Sequence, residues 1–325
     1  MIKNYLDKTI KNIDFPEGLN PYIGKVRHCY DTRDGNKILV TSDRLSAFDR
    51  QITTIPFKGQ VLTQLSRFWF EQTKDVCPNH VIDYPDPNIV VCKDLEMLSV
   101  ELVVRGYLAG STGTSLLTMY KRGERKMYGM TFPDDMRDNQ KLEKPIITPT
   151  TKAATGDHDA PLSAEQIVEE GILPKDVWEQ VSDYALALFA RGQEIAAKAG
   201  LILVDTKYEF GFDKDGVLCV GDEIHTPDSS RYWMADTYDE AIEKGEAPTT
   251  LDKDQIRRWV VARVDAYKDD IPEIPDDLRV STAETYISVY EKITGQKFDM
   301  ASAGENPEQR VNDALKKLNG ISKAA

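Results

Sequence analysis

LILVDTKYEFGFDKDGVLCVGDEIHTPDSSRYW, residues 201–233, reads as two strands joined by a tight turn. The first strand is expected over 201–212 and the second over 217–226, with Asp215-Gly216 supplying the φ > 0 positions of a short hairpin turn. Side chains alternate across a strand. Ile202, Val204, Thr206, Tyr208, Phe210 and Phe212 therefore form a core face, and Asp205, Lys207 and Glu209 project together from the other. A two-residue Asp215-Gly216 loop pairs Lys214 with Val217 and, counting back, sets Glu209 opposite Asp222. Two opposed carboxylates repel, and a divalent cation between them reverses the sign of that contribution. Hard Mg²⁺ favours such a place, with one or two carboxylates and substrate phosphates around it. A four-residue turn instead pairs Lys207 with Asp222, and the stretch is then a solvated charged face. The polar sequel DEIHTPDSSR, residues 222–231, adds weight to a functional site.

The chain has 325 residues, 41% hydrophobic and 29% charged, the balance of a soluble globular protein with two lobes or one large α+β unit. Its formal net charge of −13 argues against an electrostatic nucleic-acid partner, since no basic block offsets it. An anionic substrate must then meet a local basic pocket. Cys29, Cys77, Cys92 and Cys219 are far apart with no CxxC or His/Cys ligand spacing, which excludes a structural zinc pattern and suits a reducing cytoplasm. The start, MIKNYLDKTIKNIDF, is charged and amphipathic rather than a signal peptide. No apolar run approaches the ~20 residues that span a bilayer. The expectation is a cytoplasmic protein with neither a membrane nor a nucleic-acid partner.

Working outward, apolar residues at 2, 5–6, 10 and 13 predict a short helix that Pro16 and Gly18 end. YIGKVRHCYD and KILVTSDR flank an Asp-Gly hairpin turn at 32–36, which places Gly24-Lys25-Val26-Arg27 in the first strand. A glycine beside two cations lets backbone and side chains close on a triphosphate, although strand lysines and arginines also serve as plain surface residues. SDRLSAFDRQ, residues 42–51, reads as a polar loop carrying Asp43, Arg44, Ser46, Asp49 and Arg50. A helix is expected over 59–75, a proline-rich loop over 78–87, and strands over 89–93 and 101–110. Arg105 interrupts the last of these and needs a partner or a ligand. Ser111 is either an N-cap or, with Arg105, part of a phosphate seat at a helix start.

Residues 121–144 show no period and read as an insertion. Residues 146–159 read as a hydroxyl-rich loop, either a linker or a loop that places Lys152 over a nucleotide, ending in an acidic pair around His158. Ser163-Ala-Glu-Gln166 is a capping box, and a long amphipathic helix follows over 174–198. Beyond Trp233 come an acidic stretch and helices over 252–268, 281–293 and 306–318. Two domains are expected: a sheet-rich nucleotide-binding lobe over 1–110, and an α+β lobe over 111–325 with the metal and substrate site and a C-terminal helical extension.

Taken in order, GKVR, SDRLSAFD, ELVVRGYLAGS, LILVDTKYEFG and GDEIHTPDSSRYW resemble the SAICAR synthetase family of purine biosynthesis over roughly residues 20 to 260. The resemblance implies an α+β fold of two lobes, an N-terminal antiparallel-sheet lobe and a larger α+β lobe with ATP between them, related to ATP-grasp and kinase-like folds. It also implies an ATP-dependent ligase that joins L-aspartate to the carboxylate of 5-amino-1-(5-phosphoribosyl)imidazole-4-carboxylate, the carboxyaminoimidazole ribotide. By the same resemblance Lys25, Arg27, Lys152 and Lys207 meet ATP, Glu209 and Asp222 hold Mg²⁺, and Arg105, Ser111, Arg231 and Arg257 hold the ribotide, with Asp43 near its imidazole. Asp205 and Lys207 fall where the reaction occurs. His28 departs from the pattern, which commonly has an acidic residue after GKVR. The C-terminal extension and the 121–145 insertion resemble longer members only, which by analogy implies a monomer. A kinase-like phosphotransferase is the rival reading, but no HRD…N or DFG series appears. A non-catalytic nucleotide-binding module would leave Arg105, Ser111 and Arg231 without an anion.

Overall fold

The chain opens on antiparallel strands: β1 (Tyr22–Ile23), β2 (Arg27–Asp31), β3 (Asn36–Thr41), β4 (Arg44–Ala47) and β5 (Arg50–Thr54). Helix α1 (Lys58–Thr73), strands β6 (Val81–Asp86), β7 (Ile89–Lys93), β8 (Glu96–Met97) and β9 (Val100–Tyr107), and helix α2 (Leu116–Lys121) follow. Next come β10 (Lys126–Met127), β11 (Met130–Thr131), β12 (Lys141–Thr151), α3 (Ala164–Glu169), α4 (Lys175–Lys198), β13 (Leu201–Phe212), β14 (Leu218–Gly221) and β15 (Ser230–Met234). Helices α5 (Ala235–Lys244), α6 (Asp254–Val261), α7 (Asp276–Thr294) and α8 (Pro307–Ser322) complete it. The computed structural model describes residues 2–14, 21–32, 34–48, 50–152, 160–251 and 254–322. Pro16 and Gly18 as a helix stop, Asp49, and the acidic pair around His158 lie outside the described residues.

Two compact units emerge, one of Met1–Glu71, His80–Asp94 and Leu251–Ala325, the other of Gln72–Asn79 and Leu95–Thr250. This departs from a division at residue 110, for two physical reasons. Strand β9 is hydrogen-bonded to β12 and β13, so it belongs with the second unit. The C-terminal helices bury their apolar faces in the first: Val311 and Leu315 pack with Ile10, Tyr30, Ile38, Val40 and Ile89, and Ile256, Val260 and Ala283 pack with Leu45 and Ile55.

In the first unit the sheet order is β1-β2-β3-β7-β6. Only Ile2–Tyr5 of the opening segment is helical, as a 3-10 turn. Ile10 and Ile13 then serve the sheet's core, and Ile10 spends its backbone N–H and carbonyl on Asp43 instead of on helix bonds. GKVR makes the turn between β1 and β2, with only Arg27 already in β2, since Ile23 pairs with His28 and the Gly24 N–H donates to the Arg27 carbonyl at 2.8 Å. The SDRLSAFD stretch is a hairpin, β4 against β5, with Phe48 at φ +55° near its tip. The proline-rich 78–87 stretch contains β6, which lies at the sheet edge, where proline's missing donor is tolerated.

The second unit is built on β13. It pairs with β9 along one edge and with β15 and β14 along the other, and β8 joins it at Gly211 and Phe212. Residues 146–151 of the expected loop are instead the end of β12, paired with β9. Residues 121–144 are not a structureless insertion, because Met119, Tyr120, Met127, Tyr128 and Leu142 form a local core with Leu108 and Leu116. Ser163 makes the expected capping box. Ser115, not Ser111, holds the N-cap position of α2, without a side-chain capping bond. Helix α5, read as an acidic stretch, carries a short half-buried stripe of Tyr238, Ala241 and Ile242, with Tyr238 stacked on Trp233.

A bulge between Leu203 and Asp205 re-phases β13, an irregularity that re-aims side chains. A single core face along the strand is therefore corrected. Ile202 and Val204 pack with Tyr107 and Trp233. Leu203 faces α4, where a side chain at Gly192 would come within 2.7 Å of it and 2.6 Å of His225. Beyond the bulge it is Tyr208 that contacts His225.

Gly59 opens α1 where nothing larger fits: a Cβ there would lie 2.3 Å from the Thr41 carbonyl oxygen and 2.6 Å from Asn88 Nδ2. Although alanine is the better helix former by about 1 kcal/mol, Gly59→Ala should lower stability by about 1–3 kcal/mol through overpacking. Chemical denaturation measures it. An unchanged midpoint would show that this strand–helix contact relaxes.

Candidate functional site

The re-phased half of β13 sets Asp205 in register with Arg105 on β9 and Arg231 on β15. One carboxylate oxygen, Oδ2, receives both guanidinium groups, Arg105 Nη1 at 3.4 Å and Arg231 Nη1 in a shorter bond. Arg105 and Asp205 are each only 7% exposed, so neither could be buried without the other. Arg105 Nε donates to Thr148 Oγ1 on β12 at 2.8 Å, and that hydroxyl donates to the Val103 carbonyl at 3.1 Å. The Tyr128 hydroxyl, beside Arg105, donates to the Thr114 carbonyl at 2.6 Å. Burial lowers the Arg105 pKa from its ordinary value, and the Asp205 carboxylate opposes that.

Two and four residues further along, Lys207 and Glu209 make the next cluster. Lys207 Nζ donates to Glu209 Oε1 in a short bond and to Glu101 Oε1 at 3.3 Å, while Lys152 Nζ donates to Glu209 Oε2 at 2.6 Å. Burial works against the Lys207 ammonium, yet the Glu209 and Glu101 carboxylates outweigh it and raise its pKa. Burial by itself would raise the Glu209 carboxyl, but Lys207 and Lys152 bring it down to about 2. Lys207 is thus a fixed cation and Glu209 a fixed anion at neutral pH.

Glu209 pairs with Gly221, not with Asp222. The register shifts because the connection is longer than an Asp-Gly loop: Phe212 pairs with Leu218, and Asp213 Oδ1 accepts the N–H groups of Asp215 and Val217 at 3.0 and 2.9 Å. Asp222 follows the end of β14, half-buried and with φ +59°. His225 repeats that left-handed conformation at φ +56°. The loop between β14 and β15 turns inward here. His225 is fully buried and bonded to the Tyr208 hydroxyl, and its carbonyl accepts from Tyr232 Oη at 2.7 Å. Burial brings His225 down to about 3, which leaves it a neutral packing group. Glu223 accepts from Thr226 Oγ1 at 2.8 Å.

The structure thus brings together Arg105, Lys152, Asp205, Lys207, Glu209 and Arg231 in the second unit. Ser111 is exposed in the loop before α2 and joins neither cluster by a hydrogen bond among the described residues. In the first unit Lys25 is exposed and Arg27 half-buried at the β1–β2 turn, and Arg257 is half-buried on α6. Asp43 is buried, with Oδ2 accepting from the Ile10 N–H at 2.8 Å and Oδ1 from the Gly59 N–H at 2.9 Å. Burial raises it to about 6 despite those bonds. Glu101, Thr148 and Tyr128 are site neighbours that the sequence reading missed. Their available signal was the period of two in Glu101, Val103, Arg105 and in Thr148, Thr150, Lys152.

Among the described residues no group of three or more His, Cys, Asp or Glu side chains forms a metal cage. The donor chemistry nevertheless fits Mg²⁺, which takes one or two carboxylates and fills the rest of its shell with phosphate oxygens and water. Glu209 is an ionised hard donor, and Asp222 stands next to its register partner Gly221.

The family model described as SAICAR synthetase matches residues 20–274. A phosphoribosylaminoimidazole-succinocarboxamide synthase of Legionella pneumophila is 51% identical over 295 residues, 90% of this chain and 92% of its own. Among solved structures, the SAICAR synthase of Saccharomyces cerevisiae complexed with SAICAR is similar with a TM-score of 0.77 at 30% identity, covering 89% of this chain and 99% of that one. A type-2 SAICAR synthetase in complex with ADP is similar with a TM-score of 0.66 at 26% identity, over 86% of this chain and all of its own.

Replacing Asp205 by Asn leaves the buried Arg105 facing an amide and should cost about 3–5 kcal/mol, the loss typical of breaking a buried ion pair. Adding Arg105→Met should recover part of it. Denaturation of the two single variants and the double variant decides. Equal stability of Asp205→Asn and the parent would mean that the register does not depend on this pair.

Proposed function

The chain belongs to the SAICAR synthetase family, and from that premise we propose how its residues divide the work. It is a carbon–nitrogen ligase of purine biosynthesis, joining L-aspartate to the carboxylate of 5-amino-1-(5-phosphoribosyl)imidazole-4-carboxylate. ATP use is supported by the relative solved with ADP. A carboxylate is a poor electrophile, so the reading takes the reaction through an acyl phosphate. A carboxylate oxygen bonds the γ-phosphorus as ADP leaves. The aspartate amine then attacks the carbonyl carbon, and phosphate departs with the electron pair as the amine loses its proton. Phosphoryl transfer of this kind depends mainly on positioning and charge neutralisation.

The observation that carries the assignment is the Arg105–Asp205–Arg231 ladder. Two guanidinium groups share one carboxylate, which leaves one net positive charge on a strongly acidic chain. That surplus suits the ribotide phosphate, for which arginine forks are the best-matched donors. Asp205, held from both sides, orients the two arginines rather than moving protons. Lys207, held as an ammonium by Glu101 and Glu209, serves as a fixed charge at the transferred phosphoryl group, with Lys152 beside it. Lys25 and Arg27 meet the ATP phosphates. Ser111 and Arg257 contact the ribotide. Asp43, whose oxygens already hold two backbone N–H groups, keeps the segment around residue 43 in place instead of touching the imidazole. Glu209 and Asp222 would hold Mg²⁺, which when bound supplies charge neutralisation at the β- and γ-phosphate oxygens. No described helix is long and apolar enough to cross a membrane, and the reading places this enzyme in the cytoplasm, as a monomer.

ADP release should appear only when ATP, Mg²⁺, aspartate and the carboxy-ribotide are all present. Formation that persists with the ribotide omitted would instead indicate an ATPase. Glu209→Gln and Asp222→Asn should each raise the Mg²⁺ concentration needed for half-maximal rate and lower kcat by orders of magnitude. An unchanged metal dependence in both would remove them as ligands.

A further inference from the structure

The β1–β2 turn is held by little of its own. Strand β1 has two residues, Tyr22 and Ile23, 71% and 58% exposed, so no apolar packing anchors it. Lys25 and Val26 form a two-residue loop between Gly24 and Arg27, whose backbones meet at 2.8 Å. Two-residue hairpin loops favour turns with φ > 0, because other turn types splay the strands. None of residues 24–27 has a positive φ. The glycine is needed on different grounds, since a Cβ at Gly24 would lie only 3.2 Å from the Arg27 carbonyl oxygen.

What holds the turn comes from the start of the SDRLSAFD stretch. Ser42, fully buried, donates through Oγ to the Val26 carbonyl at 2.7 Å and through its N–H to the same oxygen at 3.0 Å. Arg44, 6% exposed, donates from Nε to Ser42 Oγ at 2.9 Å and from Nη2 to the Gly24 carbonyl at 3.0 Å. One planar guanidinium thus reaches one turn carbonyl directly and the other through a hydroxyl. His28 is buried beside Arg44. Burial and that cation bring its pKa down to about 4. A neutral imidazole does not compete with the two backbone carbonyls for Arg44 as a carboxylate would.

We infer that Arg44 and Ser42 are positioning residues that hold the turn over residues 24–27 in the shape in which Lys25 and Arg27 meet the ATP phosphates. This rests on the reading of that turn as a phosphate loop. Neither brace residue need touch substrate: Arg44 has donors committed to Ser42 and Gly24, and Ser42 to Val26.

Steady-state kinetics on Lys25→Ala, Ser42→Ala, Arg44→Met and Arg44→Lys, with each substrate varied in turn, test the inference. Ser42→Ala and Arg44→Met should raise KM for ATP on the order of ten-fold, as expected for the loss of a hydrogen bond made by a charged group or its relay. KM for aspartate should stay as it is. Arg44→Lys should recover only part of the effect, since a point-like ammonium cannot serve both acceptors of the fork. The melting temperature of each variant shows whether it folds, and should Arg44→Met fail to fold, Ser42→Ala decides. If Lys25→Ala raises KM for ATP while Ser42→Ala and Arg44→Met do not, the brace is wrong and the phosphate loop stands. If Lys25→Ala leaves KM for ATP unchanged, the phosphate-loop reading fails first. A fall in kcat and stability with every KM unchanged would make the brace merely structural and overturn the inference.

Discussion

Asp205 can be buried in the middle of a sheet only if its charge is compensated, and the compensation comes from the register of three strands. Arg105 and Arg231 reach it from opposite neighbours. A slip of one residue would turn Asp205, Lys207 and Glu209 toward the face of α4, since side chains alternate strictly. That face has no room for them: Gly192 lies so near His225 and Leu203 that even a methyl group would collide. The bulge between Leu203 and Asp205 is what lets one strand meet both demands. Before it, Leu203 serves α4, and after it, the three charged residues share the opposite face. Register, helix packing and the charged face are one constraint expressed three times.

The same constraint decides what the charges can do. A lysine gripped by two carboxylates keeps its proton, and a carboxylate gripped by two lysines loses its basicity. Lys207 is therefore not suited to acid–base work, and Asp205 has Oδ2 committed to two arginines, although the proposed reading puts both where the chemistry occurs. A ligation through an acyl phosphate does not require them to do such work. The nucleophile in the first step is already an anion, and the barrier is largely one of bringing anions together. Preorganised cations whose partners can be exchanged for phosphate oxygens meet that need. In the proposed division of roles Lys152 and Lys207, partnered by Glu209 and Glu101, supply them on an otherwise acidic chain.

Much of this was legible in the sequence because it depends on local pattern. The period of two fixed the ends of β13 at Leu201 and Phe212, the capping box marked α3, and the order of polar motifs picked out the residues that gather around Asp205. What the sequence hid depends on contacts remote along the chain. The bulge at Leu203 leaves no mark of its own, so a single alternation looked sufficient. Asp215-Gly216 suggested a two-residue loop, but Asp213 gathers the turn's N–H groups and lengthens it, which moves Glu209 opposite Gly221. Glu101 looked like the start of an apolar strand until Lys207 was seen to reach it. Helix α5 was missed because its apolar stripe is only three residues, Tyr238, Ala241 and Ile242, among closely spaced acids.

The SDRLSAFD stretch shows how far a polar motif can mislead about its task. Read as a loop, it offered side chains for a ligand. Folded, Ser42 and Arg44 turn toward the backbone of the β1–β2 turn, and Asp43 turns inward. Its neighbourhood includes Arg310 of α8, which donates to Asn88 Oδ1 at 2.6 Å and lies 3.3 Å from Asp86, while Val311 and Leu315 on the same helix complete the core of the first sheet. The C-terminal extension is therefore part of the first unit's interior. Residues that line a ligand site in a motif-based reading and residues that hold such a site in shape carry the same polar signature. What separates them here is how their polar atoms are spent: Asp43 has both oxygens committed to backbone N–H groups, whereas Lys25 stands exposed at the β1–β2 turn with the solvent access that a phosphate ligand requires.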